Sequence, residues 1–155
     1  MNELVEYDLN KASEAEIAGH LRACDADFIP PLSGRTDIND YAHKIADKAM
    51  RFEAWSGGML IGLLAVYCND QANRIAYITS ISVISEWAGK GIAARLMKQC
   101  TEYAMALDMR QISLEVAGNN APALRLYEKA GFVTGKANTP FVGMNLYLKS
   151  GEEHE

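Results

Sequence analysis

No run of 18 apolar residues occurs anywhere in this 155-residue sequence, which argues against a membrane-spanning helix. The opening MNELVEYDLN has no basic region ahead of an apolar stretch, so a secretory leader is not expected. Lys and Arg number 15 against 20 Asp and Glu, a net charge of -5, and they form no cluster. The sequence therefore lacks the electrostatic footprint of a nucleic-acid binder. Cysteine is scarce too: Cys24, Cys68 and Cys100 are odd in number, widely spaced and set in apolar-periodic segments. They read as buried free thiols in a reducing compartment, and the cytoplasm is the expected location. His20, His43 and His154 lie far apart, and neither Cys-x-x-Cys nor His-x-x-x-His spacing occurs, so no metal site is expected.

What is present is an apolar content of 49%, suited at this length to one globular domain over residues 1–149, with residues 150–155 a solvated tail. Leu4 to Asp8 reads as a short strand, and Ser13 with Glu16 as a capping box for a helix ending near Asp25. Phe28 to Arg35 holds two prolines and a glycine among large apolar residues, a packed loop that could wall a pocket. Asp37 caps a second helix through Lys48, with Ile38, Tyr41, Ala42, Ile45 and Ala49 along one stripe. Arg51–Trp55 and Met59–Tyr67 flank Ser56-Gly57-Gly58 as a hairpin, and Asn69–Asn73 turns the chain into a third strand from Ile75.

That third strand is the organising segment. Ile75, Tyr77, Ile81 and Val83 set a period of two, with the odd positions as the apolar face. After a short connector, Gly89-Lys90-Gly91 frees the backbone, and a helical stripe begins at once through Ile92, Ala93, Leu96, Met97, Cys100, Tyr103, Ala104 and Leu107, ending near Met109. Such a junction can cradle a phosphate. Side chains missing at the glycines let peptide N–H groups approach an anion, and the helix start adds unpaired donors and the positive end of its dipole. Ile112–Val116 alternates as the next strand, and a helical connection implies that it runs parallel to the third. Asn119 and Asn120 offer caps for a short helix that Gly131 stops, and Phe132–Thr134 with Phe141–Leu148 form a closing antiparallel pair.

Two segments in this order resemble the signatures of the GNAT superfamily of N-acetyltransferases. Ile81-Ser82-Val83 followed by Ala88-Gly89-Lys90-Gly91-Ile92-Ala93 is similar to that family's strand and its Gln/Arg-x-x-Gly-x-Gly/Ala pyrophosphate loop, with Ala88 in place of the usual Gln or Arg. Asn120-x-x-Ala123-x-x-Leu126-Tyr127-Glu128-Lys129-x-Gly131-Phe132 is similar to its second signature. The resemblance implies an α/β fold with a mixed, mostly antiparallel sheet of six to seven strands flanked by about four helices, its central parallel pair splayed around acetyl-coenzyme A. Ile81, Ser82, Val83, the loop from Ala88 through Ala93, Asn120, Ala123 and Tyr127 would then contact the cofactor. Tyr127 is implied as the acid that protonates the leaving thiolate. Glu115 projects opposite to Leu114 and Val116 and is a candidate base, because family members that acetylate N-terminal amines use a glutamate in a similar Leu-Glu-Val strand. Glu53 and His43 are alternative bases.

The acceptor is expected to be a primary amine of a small metabolite, an amino sugar or a polyamine-like amine, enclosed by Phe28, Leu32, Arg35 and Tyr41, with a peptide N-terminus second. Arg35 would favour an acceptor bearing an anion. Cys100 on an apolar helix face argues for direct transfer in a ternary complex over an acetyl-cysteine route. The sequence leaves the choice between monomer and homodimer open. A dinucleotide-binding oxidoreductase is the rival class, since Gly89-x-Gly91-x-x-Ala94 meets a relaxed fingerprint, but the first glycine lies too far beyond the strand and too little chain follows. A P-loop is excluded by Ile92-Ala93 after Gly91. A non-catalytic acyl-coenzyme A sensor would keep the same contact residues.

Overall fold

The computed structural model describes residues 4–148; the tail expected at 150–155 lies outside the described residues. Seven strands form one sheet in the order β1-β2-β3-β4-β5-β7-β6, from β1 (Glu6–Leu9), β2 (Met50–Ser56), β3 (Met59–Asp70), β4 (Ile75–Val83), β5 (Gln111–Ala117), β6 (Val133–Asn138) and β7 (Phe141–Tyr147). Four α-helices accompany them: α1 (Glu14–Cys24), α2 (Ile38–Lys48), α3 (Ile92–Ala106) and α4 (Ala121–Lys129). All neighbouring strands are antiparallel except β4 and β5, whose connection through α3 makes them parallel. No described helix is long and apolar enough to cross a membrane.

Local signals account for most boundaries. Ser13 and Glu16 close the capping box of α1, with the Ser13 side chain accepting from the Glu16 amide at 3.1 Å and the Glu16 carboxylate accepting from the Ser13 amide at 2.9 Å. Asp37 caps α2 by accepting from the Asp40 amide at 2.9 Å. Gly57 and Gly58 both take positive φ, 58° and 78°, which suits the two-residue turn joining β2 to β3. Some expected limits move. The first strand begins at Glu6 instead of Leu4 and includes Leu9, α3 ends at Ala106 instead of near Met109, and β6 runs from Val133 to Asn138 because β7 is there to pair with it.

The sheet separates two cores. On one face α1 and α2 bury Ile17, Leu21, Ala42 and Ile45 against Leu60, Leu63 and Ala65 of β3. On the other, Leu96, Met97 and Cys100 of α3 pack with Ile61, Leu64, Val66, Ala76, Ile78, Ile112 and Leu114. Gly62 lets α3 come close: a Cβ there would stand 3.0 Å from Ile92 Cγ2 and 3.3 Å from a Leu96 methyl. The start of α3 is thereby pressed onto the middle of β3.

The expected face of β4 is wrong over its first half. Ala76 and Ile78 face the α3 core, whereas Tyr77 is exposed. The cause is a bulge. Ser80 pairs with Ala65 and Ile78 with Val66, so Thr79 is an extra residue and the alternation changes phase there. Thr79 meets Tyr41 of α2 and Ser82 meets His20 of α1, while Ile81 and Val83 turn to the α3 side.

Candidate active site

The parallel pair β4–β5 is hydrogen-bonded only where Ile75, Ala76 and Tyr77 face Gln111, Ile112 and Ser113. Beyond that register β4 continues to Val83 beside β3 alone, and β5 continues to Ala117 beside β7 alone. The strands diverge, and their inner backbone edges border a cavity of about 440 Å³ lined by Tyr77 through Val83 and by Leu114 through Ala117. Asn120, Ala123 and Tyr127 of α4 close one side; Phe28, Ile29, Leu32, Arg35 and Tyr41 close the other, with Phe141 from the β6–β7 end. The two 3-10 turns Asp25–Asp27 and Leu32–Gly34 fold the α1–α2 connection over the cavity, anchored by buried Leu32 and by Ser33, whose amide and hydroxyl both donate to Asp25 at 2.7 Å.

Thus three of the four expected groups of contact residues converge: Ile81, Ser82 and Val83; Asn120, Ala123 and Tyr127; and Phe28, Leu32, Arg35 and Tyr41. The fourth, from Ala88 to Ala93, does not line this cavity and sits beyond the end of β4. There Gly89 and Gly91 adopt φ of 76° and 81°, and Gly91 is the left-handed residue from which α3 starts. The first α3 amide with a helical partner is that of Arg95, bonded to Gly91 O at 3.0 Å; those from Gly89 through Ala94 donate to no acceptor among the described residues. This is a row of free donors at the positive end of a 15-residue helix, with exposed Lys90 alongside. Ile92 corrects the expectation in one respect. Its side chain is buried against Gly62 in the core, so only its amide faces the loop.

The titratable groups sort by environment. Tyr127 is 7% exposed, and burial, with no hydrogen bond from any described residue, pushes its phenol up to about 12. Glu115 is exposed on the other face of β5, close enough to Tyr77 that its charge, after burial, adds to the rise in that phenol's pKa. Asn120 both lines the cavity and caps α4, accepting from the Ala123 amide at 3.3 Å. The alternative bases lie elsewhere. Glu53 is fully buried and accepts from the Lys11 and Ala12 amides, Arg51 Nε and Trp55 Nε1. His43 is exposed and held to Glu14 at 2.9 Å, which raises its pKa.

Cys24 lines the cavity and His20 holds one of its lining residues, Ser82, neither of them expected at the site. His20 is 3% exposed; its Nδ1 meets the Leu60 carbonyl at 2.9 Å, so that nitrogen carries the proton and Nε2 accepts from Ser82 Oγ at 2.9 Å. Burial lowers its pKa and keeps the ring neutral. Cys24 lines the cavity, but burial raises its thiol to about 11, and Cys100, away from the cavity, is raised to about 12. Neither is a ready nucleophile. Cys68 is half-buried, not buried as expected. The signal for His20, four residues before Cys24 on one helix face, was present in the sequence, but its partner across the sheet was not.

Comparison with known proteins agrees with this geometry. The chain is 30% identical over 152 residues to a streptothricin acetyltransferase of Streptomyces lavendulae, covering 92% of this chain and 75% of that protein. A Bacillus anthracis acetyltransferase crystallised with acetyl coenzyme A superimposes with a TM-score of 0.58 at 26% identity, over 65% of this chain and 63% of its own. The ribosomal-protein-S18-alanine N-acetyltransferase of Escherichia coli shares the fold, with a TM-score of 0.72 at 16% identity over 97% and 99% of the two chains. The chain spans between 38% and 58% of the length of four further curated relatives, N-alpha-acetyltransferases of Arabidopsis thaliana and Xenopus laevis among them. The acetyltransferase (GNAT) family model matches residues 15–132, and the chain belongs to that family.

Proposed function

We propose that this protein is an acetyl-coenzyme A-dependent N-acetyltransferase acting by direct transfer on a primary amine of a small metabolite. The observation that carries the reading is the splay of β4 from β5 beyond Tyr77, together with the row of free amides from Gly89 to Ala94 beyond the end of β4. Together they fit a long ligand with a peptide-like arm and an anionic end. Acetyl-coenzyme A, when bound, supplies the acetyl thioester. The inner edges of β4 and β5 can pair with amide groups as an added strand would, and the loop amides can hold phosphate oxygens.

Tyr127 then stands at the gap as the donor for the departing sulfur. A free thiol has a pKa of about 8.5, so a phenol near 12 would be a poor acid toward a solvated thiolate. The same burial that raises the phenol also raises a thiolate beside it, and the mismatch narrows in place. On the opposite side Glu115 takes the amine proton, directly or through water. Cys24 and Cys100, protonated at neutral pH, leave the acetyl group no covalent stopping point. A peptide N-terminus is the second reading, favoured by the relatives named as N-alpha-acetyltransferases. The enclosing loop between α1 and α2, with Leu32 buried beneath it, favours the compact acceptor.

The test is twofold. Acetyl-coenzyme A should raise the melting temperature while NAD and ATP at equal concentration do little. In an acceptor screen, active amines should follow a ternary-complex rate law, and Glu115→Gln should remove the acidic limb of kcat/KM with partial recovery at high pH. Absence of an acetyl-coenzyme A shift, or an isolable acetyl-cysteine, would refute the reading. A fully active Glu115→Gln, with a limb that tracks the acceptor's own pKa, would remove Glu115 from it.

A further inference from the structure

The wall of the cavity facing α2 carries several hydroxyls, and their protons can be traced one by one. Tyr41 Oη donates to the Thr79 carbonyl at 2.7 Å, which commits its single proton. The 2.6 Å contact between Tyr41 Oη and Thr79 Oγ1 must then be donated by Thr79. Ser82 gives its proton to His20 Nε2, because Nδ1 is committed to Leu60. Ser80 is the exception among those lining the cavity; Tyr67 Oη, also without a partner among the described residues, does not line it. Ser80 is 7% exposed, and its Oγ has no hydrogen-bond partner among the described residues. It stands near the Tyr41 hydroxyl without bonding geometry to it. A buried hydroxyl without a partner is costly, so its persistence at a cavity wall points to a ligand atom that completes it.

Arg35 supplies the charge on this wall. It lines the cavity, as Tyr41 does, and rests over the Phe141 ring with its guanidinium carbon 5.7 Å from the centroid. No described carboxylate pairs with it. Phe141 comes from the far side of the cavity mouth, so the stack holds the fork across the opening. Of the acids lining the cavity, Glu115 lies on β5, whereas Asp27 lies in the same α1–α2 connection as Arg35 without pairing with it. The wall toward α2 therefore offers donors and a positive charge, and β5 across the cavity offers the Glu115 carboxylate.

We propose that the acceptor is an amine that also carries a carboxylate, with the carboxylate taken by Arg35 and the Ser80 hydroxyl and the amine turned toward Glu115. This rests on the transferase reading and narrows its acceptor from amines in general to amino acids. A polyamine would set a cation against Arg35, and an amino sugar without an acid group would leave the guanidinium unpaired.

The experiment compares L-alanine, L-aspartate, β-alanine and 4-aminobutyrate with their carboxamides and with the amines lacking the acid group, using acetyl-coenzyme A as donor. At least one amino acid should exceed its carboxamide about 10- to 100-fold in kcat/KM. Arg35→Met should flatten that preference by raising KM for the amino acid while acetyl-coenzyme A affinity is retained, and Arg35→Lys should restore part of it. Ser80→Ala should weaken the same preference without loss of thermal stability, since no protein hydrogen bond is lost. Carboxamides or acid-free amines turned over as well as the amino acids would overturn the proposal and leave the transferase reading intact. Faster transfer to a peptide with an amidated C-terminus would overturn it in favour of the second reading. No transfer to any amine would overturn both.

Discussion

Replacing Tyr127 by Phe removes one oxygen from a buried site and leaves the ring, so its effects on stability and on catalysis can be separated. The ring packs in the α3-side core and meets Phe132 at a centroid distance of 5.9 Å, contacts that phenylalanine keeps. Its hydroxyl has no described partner in the protein, so its removal forfeits no intramolecular hydrogen bond. Stability should therefore change by less than about 1 kcal/mol, within roughly 2–4 °C of melting temperature for a chain of this size. Catalysis should respond differently. A hydrogen bond to a developing anion in a water-poor site is worth about 1.5–3 kcal/mol, which corresponds to a loss in kcat of roughly 10- to 150-fold. Because the phenol lies near 12, the wild-type profile should show no tyrosine limb at neutral pH. The assay is steady-state kinetics on an identified acceptor, with acetyl-coenzyme A affinity measured separately by calorimetry and the melting temperature as a folding control. Wild-type kcat in the variant would remove Tyr127 from the chemistry. A large drop in melting temperature together with lost affinity would make it a packing residue.

Gly91→Glu places bulk and negative charge where the free amides converge, at a φ of 81°, and should abolish the thermal shift given by acetyl-coenzyme A; Gly91→Ala, which adds only backbone strain of about 1 kcal/mol, should keep it. Unchanged affinity in Gly91→Glu would place the anion site elsewhere. Glu53→Ala strands Arg51 and the Lys11, Ala12 and Trp55 donors in the interior, and should cost about 3–5 kcal/mol in denaturant titration; a change below about 1 kcal/mol would show that the network carries no net stability. The folded His20 titrates below the ordinary 6.5, so under that pH the unfolded chain binds the extra proton. Its contribution should thus lower stability as pH falls below 6.5, by up to about 1.4 kcal/mol per unit, until the folded ring itself titrates. His43 has the opposite sign, its raised pKa adding stability below 6.5 that fades as pH rises through the folded value, but it is fully exposed and its share is small. His20→Gln should remove the acid-side slope, and an unchanged slope would assign it to other groups.

Much of this protein is decided locally. The capping box at Ser13 and Glu16, the Asp37 cap, the double-glycine turn at Gly57-Gly58 and the Gly89-Lys90-Gly91 helix start each need only a few neighbouring residues, so they are legible in the sequence. The parallel β4–β5 pair is legible too, because a strand, helix, strand succession leaves little alternative. Tertiary structure decided the rest. The phase change at Thr79 depends on how β4 registers against β3, which no alternation within β4 encodes, and it is the bulge that turns Thr79 and Ser80 toward α2. The tautomer of His20 is set by a carbonyl 40 residues away and the orientation of Ser82 by a ring 62 residues away. That Ile92 is core while its amide is left free at the start of α3 follows from the close approach of α3 at Gly62. Sequence determined the elements and the glycine turn at the start of α3 because backbone conformation is a short-range property; only packing across the sheet decided which hydroxyls are committed and which one of the cavity wall is left without a described partner.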